Sequence, residues 1–341
     1  MKSIYYVSII LFPLVILFSQ CEKEPNPYDP VDIPDHNFID ALIDDGVDTN
    51  GDGIISFEEA AAVTYLRLTD QNKTISNLKG IEKFYNLDTL LLSNTNVDQI
   101  SLDNNIKLKF IWFWKNEFLC LDVSNCDELN CIYCYDNKLT DLYLPKHGEN
   151  LETLRCSNNQ LARLDVSNSI NLRSLYCSDN QLARLDVSNS INLRTLCCSN
   201  NELSTLNVAK NVALGSLSCS DNYLVTLDIS NNTELRDLDC KNCGLESLDI
   251  SNQLKLEYLD CSDNYLSEID VSNNIELLRL NCSENAISSI DIENNMKLEW
   301  FECSSSHVDN LNISNNLELE RIDFSYCRLT SLDISNNVKL Q

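Results

Sequence analysis

The residues with the clearest chemical potential lie at 48–59. Side-chain oxygens recur there at Asp48, Asn50, Asp52 and Ser56, and Glu59 follows three residues later. Ile54 fills the gap with a backbone carbonyl, and Gly53 permits a sharp turn inside the loop. A hard cation such as Ca2+ takes several oxygens at this spacing, with a two-oxygen carboxylate completing its shell. The stretch therefore reads as one calcium site. Ile55 supplies the apolar slot that anchors such a loop to its surroundings. A structural role is favoured over sensing, because only one loop is present. The alternative is an acidic turn that binds no metal.

No second centre of chemistry stands beside it. His36, His147 and His307 have neither metal-ligand spacing nor a neighbouring nucleophile, and no phosphate loop occurs. Acidic pairs are plentiful only because 52 acidic residues face 25 basic ones, a net charge of −27 over 341 residues. That balance argues against nucleic acid as a partner, since binding it needs clustered Lys and Arg. The expectation is a protein without catalytic activity. Sixteen cysteines remain, with Cys131-Ile-Tyr-Cys134 and Cys240-Lys-Asn-Cys243 as possible zinc or redox pairs and a disulfide framework as a further reading.

Their meaning depends on the elements that hold them. From about residue 63 one unit recurs: Leu172, Leu175, Cys177, Asn180, Leu182, Leu185 and Val187 mark one copy, and the next starts at Leu193, 21 residues on. With Leu172 as the first position, the two-residue period of a strand turns the fourth and sixth positions inward and the third, fifth and seventh outward. The sixth position runs through Leu68, Leu92 and Phe113, then nine cysteines from Cys134 to Cys303, then Phe324. This predicts about thirteen short strands in one parallel sheet, roughly 60 Å long. Stacked cysteines at the strand spacing of about 4.8 Å stand too far apart for disulfide geometry. They read as small buried hydrophobes. In each CxxC run the register removes the ligand pair: Cys131 points out while Cys134 points in, and Cys240 and Cys243 both belong to the core. Cys120 and Cys126 are the best remaining disulfide candidates. The ninth position carries Asn in eight units, where a buried amide can bond the backbone of neighbouring turns.

This repeat resembles the leucine-rich repeat over roughly four fifths of the chain. The longer first unit, 63–84, is similar to the opening repeat of internalin-type proteins. The resemblance implies a β-rich solenoid. The loop at 48–59 resembles a single EF-hand or half a dockerin module, and implies a small helical cap at 35–62. The N-terminus resembles a bacterial lipoprotein signal of the Bacteroidetes type: Lys2, an apolar run at 4–18, then Cys21 followed directly by charge. Plain secretion and a retained anchor are the alternatives. The implied division is a signal at 1–21 with lipid attachment at Cys21, a proline-rich tether at 22–34, the cap, and the solenoid at 63–341. The implied location is a bacterial outer membrane or cell surface.

Departures from the small polar lining single out two places on the outward strand face. Phe110, Trp112 and Trp114 should lie outward together, beside Tyr133 and Tyr135 on the next strand. Exposed aromatics at this density mark a binding surface for a protein or a glycan, unless the N-terminal segment or a second copy covers them. A weaker patch mixes Asp237, Asp239, Tyr258, Asp260, Trp300, Glu302 and Asp323 with Arg279 and Arg321. At the fifteenth position, Asp165, Asp186, Asp228, Asp249, Asp270 and Asp291 stack like charges, which turn hydrogen bonds should compensate. The last strand bears no polar cap, so weak self-association or a plug formed by Phe324 is expected there. The favoured function is an exported binding or adhesion protein with structural calcium. A self-associating envelope spacer is the alternative.

Overall fold

The computed structural model describes residues 26–69 and 75–341, so the targeting signal and the lipid attachment expected at Cys21 lie outside the described residues. Each turn of the repeat contributes one short strand. The first three are β1 (Tyr65–Thr69), β2 (Thr89–Ser93) and β3 (Phe110–Trp114). After β4 (Cys120–Asp122) come β5 (Cys131–Tyr133), β6 (Asp141–Tyr143), β7 (Thr153–Arg155), β8 (Ser174–Tyr176) and β9 (Thr195–Cys197). The series ends with β10 (Ser216–Ser218), β11 (Asp237–Asp239), β12 (Tyr258–Asp260), β13 (Arg279–Asn281), β14 (Trp300–Glu302) and β15 (Arg321–Asp323). All but β4 and β6 form one 13-stranded sheet in which successive turns are neighbours. The pairing is parallel and in register, Asp237 opposite Tyr258 and Tyr258 opposite Arg279. The result is a β-rich solenoid of the expected strand count. β4 and β6 pair on their own in the second half of two turns, as a local patch of extended backbone.

Few glycines are needed because Asn and Asp make the corner. The residue two places after each cysteine adopts positive φ, as in Asn158, Asp179, Asn200, Asp221 and Asp263. These residue types tolerate the left-handed region best among those with a side chain. The next residue is the buried Asn. The Asn201 amide donates to the carbonyls of Cys177, Cys198 and Ser199 at 3.1, 3.0 and 3.1 Å, while its oxygen accepts the Leu182 N–H at 2.9 Å. One side chain thus satisfies backbone groups of two turns that the strand end leaves unpaired. A second buried amide column lies near the end of each unit. The Asn232 amide donates to the carbonyls of Val208 and Asn211 at 3.0 and 2.9 Å, and Asn274, Asn295, Asn316 and Asn337 repeat the pattern.

Between the columns lies one continuous apolar core. Leu175, Leu196 and Leu238 are buried at the strand centres, and the nine sixth-position cysteines from Cys134 to Cys303 are buried beside them. All fifteen cysteines among the described residues are free thiols, including Cys120 and Cys126, which removes the expected disulfide candidates. Cys120 is exposed in β4 while Cys126 is buried, so their side chains occupy different environments. On the opposite side of each turn, the stacked Asp carboxylates accept backbone N–H groups two residues on: Ser167 to Asp165, Ser188 to Asp186 and Ser251 to Asp249, each at 2.9 Å. Hydroxyl and N–H bonds from the serine two residues on hold the Asp165, Asp186, Asp228, Asp249 and Asp270 carboxyls below the ordinary carboxylate range, against the repulsion of a stacked Asp at Asp165, Asp228 and Asp270.

The cap is helical as expected, with α1 (His36–Asp44) and α2 (Phe57–Ala62) either side of the loop. Asp35 caps α1 through the N–H groups of Asn37 and Phe38, and α1 buries Phe38 and Leu42. The other Asp35 oxygen accepts N–H groups from Ser76 and Asn77, at 2.9 and 3.0 Å, which fastens the cap to the first turn. The tether assigned to 22–34 needs correcting over its described part. Val31 and Ile33 are 7% exposed, and the Val31 N–H bonds the Ile55 carbonyl at 2.8 Å. Residues 29–33 therefore close the free edge of the loop. Gly80 shows how tightly they pack: it has φ 105, and a Cβ there would lie 2.6 Å from the Ile33 side chain. In β15's turn Phe324 is half-buried, with its ring centroid 5.3 Å from that of Phe301.

Candidate functional site

β3, β5 and the residues just after β5 bring the five predicted aromatics together. Ile111 and Phe113 point into the core, which leaves Phe110, Trp112 and Trp114 on the other face. The register places Trp112 beside Tyr133. Tyr133 meets Phe110 and Trp112 edge-on, at ring-centroid distances of 5.3 and 5.9 Å, and Trp114 lies 6.1 Å from Tyr135. Trp112 is 36% exposed at the centre. The Trp114 indole N–H donates to Asp136 at 2.7 Å, and Lys115 sits 4.6 Å above the Trp114 ring. These contacts hold the rings in fixed orientations, as a recognition surface requires.

Sequence reasoning missed the extension of this patch. Arg155 and Tyr176 continue the Trp112–Tyr133 column through β7 and β8. The Arg155 guanidinium lies 5.2 Å from the Tyr133 ring and 4.3 Å from the Tyr176 ring. The signal was available, since both residues occupy the same outward position in the repeat, but neither is conspicuous alone. β9 and β10 then carry the small residues Thr195, Cys197, Ser216 and Ser218, which separate the aromatic patch from the charged one. From β10 to β14 the sheet surface holds a groove of about 400 Å³ lined by Asp237, Asp239, Tyr258, Asp260, Arg279, Trp300 and Glu302.

The loop at 48–59 is folded over its own backbone. Gly51 and Gly53 take φ 76 and 80. The two Asp48 oxygens accept the N–H groups of Gly51 and Gly53 at 2.7 and 2.9 Å, Asn50 accepts Asp52, and Asp52 accepts Ile54. Ile54 leaves its side chain exposed, while Ile55 is buried. Glu59 is buried, with one oxygen accepting from Thr49 N–H and hydroxyl at 2.8 and 2.9 Å. Its other oxygen accepts from Ser56 N–H and hydroxyl at 3.0 and 2.8 Å, a capping box for α2. Burial alone would raise the Glu59 carboxyl, but these four bonds hold it at about 2. The donors are hard oxygens that suit Ca2+. Among the described residues, however, no three His, Cys, Asp or Glu side chains gather as a metal cluster.

No protein-family model matches the sequence. No curated protein matches it either. Solved structures do. The functional domain of InlJ from Listeria monocytogenes, described as including a cysteine ladder, is 31% identical over 84% of this chain and 68% of that one, with a TM-score of 0.74. The internalin InlF from Listeria monocytogenes is 22% identical over 93% of this chain and 97% of that one, with a TM-score of 0.77. YopM, a leucine-rich effector from Yersinia pestis, is 24% identical over 78% and 76%, with a TM-score of 0.65. In this chain the nine sixth-position cysteines from Cys134 to Cys303 are all buried.

Proposed function

We propose, from the premise that the chain belongs to the leucine-rich-repeat family, that it is a non-catalytic binding protein acting outside the cytoplasm. The observation that carries this reading is the packed aromatic patch of Phe110, Trp112, Trp114, Tyr133 and Tyr135 on the solvent-facing side of the sheet. Rings already held in place lose little freedom on binding, and Trp, Tyr and Arg are the residues that dominate interface energies. A protein partner is favoured over a glycan. Tyr133 is met edge-on by two rings and approached by Arg155, so it offers no open flat face for a sugar to stack on. An array of extracellular proteins and glycans probed with the purified chain tests this. The Trp112→Ser/Tyr133→Ser variant is expected to lose 30-fold or more, about 2 kcal/mol, at any true partner. A ligand bound equally well by both forms would refute the patch as the site.

The anchor and the cation belong to the same proposal. Lipid on Cys21 would hold the solenoid at the outer membrane or cell surface, and Cys21→Ser is then expected to move the protein from the membrane fraction to the soluble one. Persistence of that variant in membranes would count against lipidation. One structural Ca2+ would be held by Asp48, Asn50, Asp52, the Ile54 carbonyl, Ser56 and Glu59, sharing the Glu59 carboxylate with its present hydrogen-bond donors.

A further inference from the structure

We propose that the groove from β10 to β14 is a second binding site, one that takes an extended basic peptide with an arginine or lysine side chain against Asp239 and Asp260. The groove crosses five strands, a span of about 19 Å at the sheet spacing, which roughly six residues of extended chain would fill. Its lining carries Asp237, Asp239, Asp260 and Glu302 against the single cation Arg279.

That cation is already committed. Arg279 lies 5.2 Å from the Trp300 ring and 5.6 Å from the Tyr258 ring. Arg321 lies 4.4 Å from Trp300 on the following strand and pairs with Glu302 at 3.5 Å. Trp300 is thus flanked by guanidinium groups on the strands to either side, so a sugar finds no free ring to stack on, and an anionic ligand meets a wall of carboxylates. Among the described residues none of Asp237, Asp239 and Asp260 forms a salt bridge. Asp239 and Asp260 are register partners on adjacent strands, about 5 Å apart.

Their hydrogen-bond donors are all neutral. Asp239 accepts from the Ser218 hydroxyl at 3.0 Å and the Lys241 N–H at 3.3 Å. Asp260 accepts from the Ser262 N–H and hydroxyl at 2.9 and 2.6 Å and from the Asn281 amide at 3.2 Å. Burial, and then the charge of Glu257, push the Asp237 carboxyl upward against the smaller downward pull of Arg236, so Asp239 and Asp260 are the pair left without a salt-bridge cation. A guanidinium or ammonium from outside supplies it. This surface lies on different strands from the aromatic patch, so the two sites stand or fall separately.

Trp300 provides the readout, because the other tryptophans are Trp112 and Trp114. In a Trp112→Phe/Trp114→Phe background, the emission of Trp300 is followed while acetyl-Gly-Arg-Gly-Arg-Gly-Gly-amide is titrated. The same titration is run with its glutamate counterpart and with a panel of saccharides. The arginine peptide alone is expected to shift the emission. Asp239→Asn/Asp260→Asn is expected to weaken it at least tenfold, since asparagine keeps the acceptors for Ser218 and Ser262 but removes the charge. Asp228→Asn/Asp249→Asn, which removes the same charge from the other side of the turns, is expected to leave binding unchanged. Asp239→Asn alone gives the same result at smaller amplitude should the double variant melt early. No response to the arginine peptide, a response to saccharides instead, or equal losses in the two double variants would each overturn the proposal.

Discussion

Replacing Glu59 with glutamine is expected to loosen the cap by roughly 2 kcal/mol, allowing for the water that reaches the loop, and acid is expected to do the same to the unaltered chain. The glutamine amide would turn one NH2 toward hydroxyl and N–H donors of Thr49 or Ser56, which then lose their acceptor. The carboxyl sits at about 2 in the folded chain against an ordinary 4.5. A depressed folded value means that the stabilisation is complete above pH ~4.5 and drains away as pH falls toward 2. Asp35, also lowered, acts in the same direction, whereas Asp45, raised by burial, opposes it. Amide exchange at Ala60, whose N–H bonds the Ser56 carbonyl, reports the loosening directly. Calcium separates from this effect cleanly. If the loop holds the ion, millimolar Ca2+ raises the melting temperature and Asp48→Asn/Asp52→Asn removes that rise while the acid transition of Glu59 remains. A melt indifferent to both Ca2+ and chelator would end the calcium proposal and leave the capping box intact. Unchanged exchange at Ala60 in Glu59→Gln would overturn the capping role.

That loop also shows where sequence reading reaches its limit. The spacing of Asp48, Asn50, Asp52, Ser56 and Glu59 suggested metal ligands, and the same residues contain a Ser-x-x-Glu capping box immediately before α2. Both readings use Ser56 and Glu59, and a sequence does not say which donors a carboxylate meets. The docking of Val31 and Ile33 was hidden for a related reason. Four prolines in 22–34 mask any apolar period, and among its described residues the segment makes a single bridge, Pro30 to Ser56, rather than a regular strand.

The sheet was far easier to read, because one period carries information about every turn at once. Aligning Leu175 with its copies sets which residues face inward, and thirteen strands follow from thirteen sixth positions. The Asn180 column was legible because it repeats. The Asn232 column repeats equally well, yet it sits among exposed Ser and Asn residues, so composition disguises its burial. Arg155 and Tyr176 were overlooked because their meaning comes from stacking against Tyr133 across strands.

Thiol labelling is expected to produce the largest contrast in the molecule. In the folded chain near neutral pH, exposed Cys120 should react first, half-buried Cys131 and Cys197 more slowly, and the column from Cys134 to Cys303 hardly at all. Two factors multiply. Burial denies the reagent access, and it also pushes the thiols of Cys134, Cys156, Cys177, Cys198, Cys240 and Cys261 upward, Cys156 to about 12 from an ordinary 9.0. A rise of that size alone cuts the reactive thiolate about a thousandfold. Hydrogen bonds from Cys282, Ser306 and Cys327 instead lower the Cys303 thiol, which lost access alone protects. The column is shielded from oxidation by geometry as well. Parallel register keeps successive Cβ atoms near 4.8 Å, whereas a disulfide draws them to about 3.8 Å. The sulfurs engage backbone instead: Cys240, Cys261 and Cys282 approach the carbonyls of Asp260, Asn281 and Glu302 on the following strand at 3.5, 3.6 and 3.5 Å. Mass spectrometry after labelling, with and without denaturant, measures the contrast. Column cysteines labelled at the rate of Cys120, or recovered as disulfide-linked peptides from the folded chain, would show that these thiols are not the packed hydrophobes the register makes them.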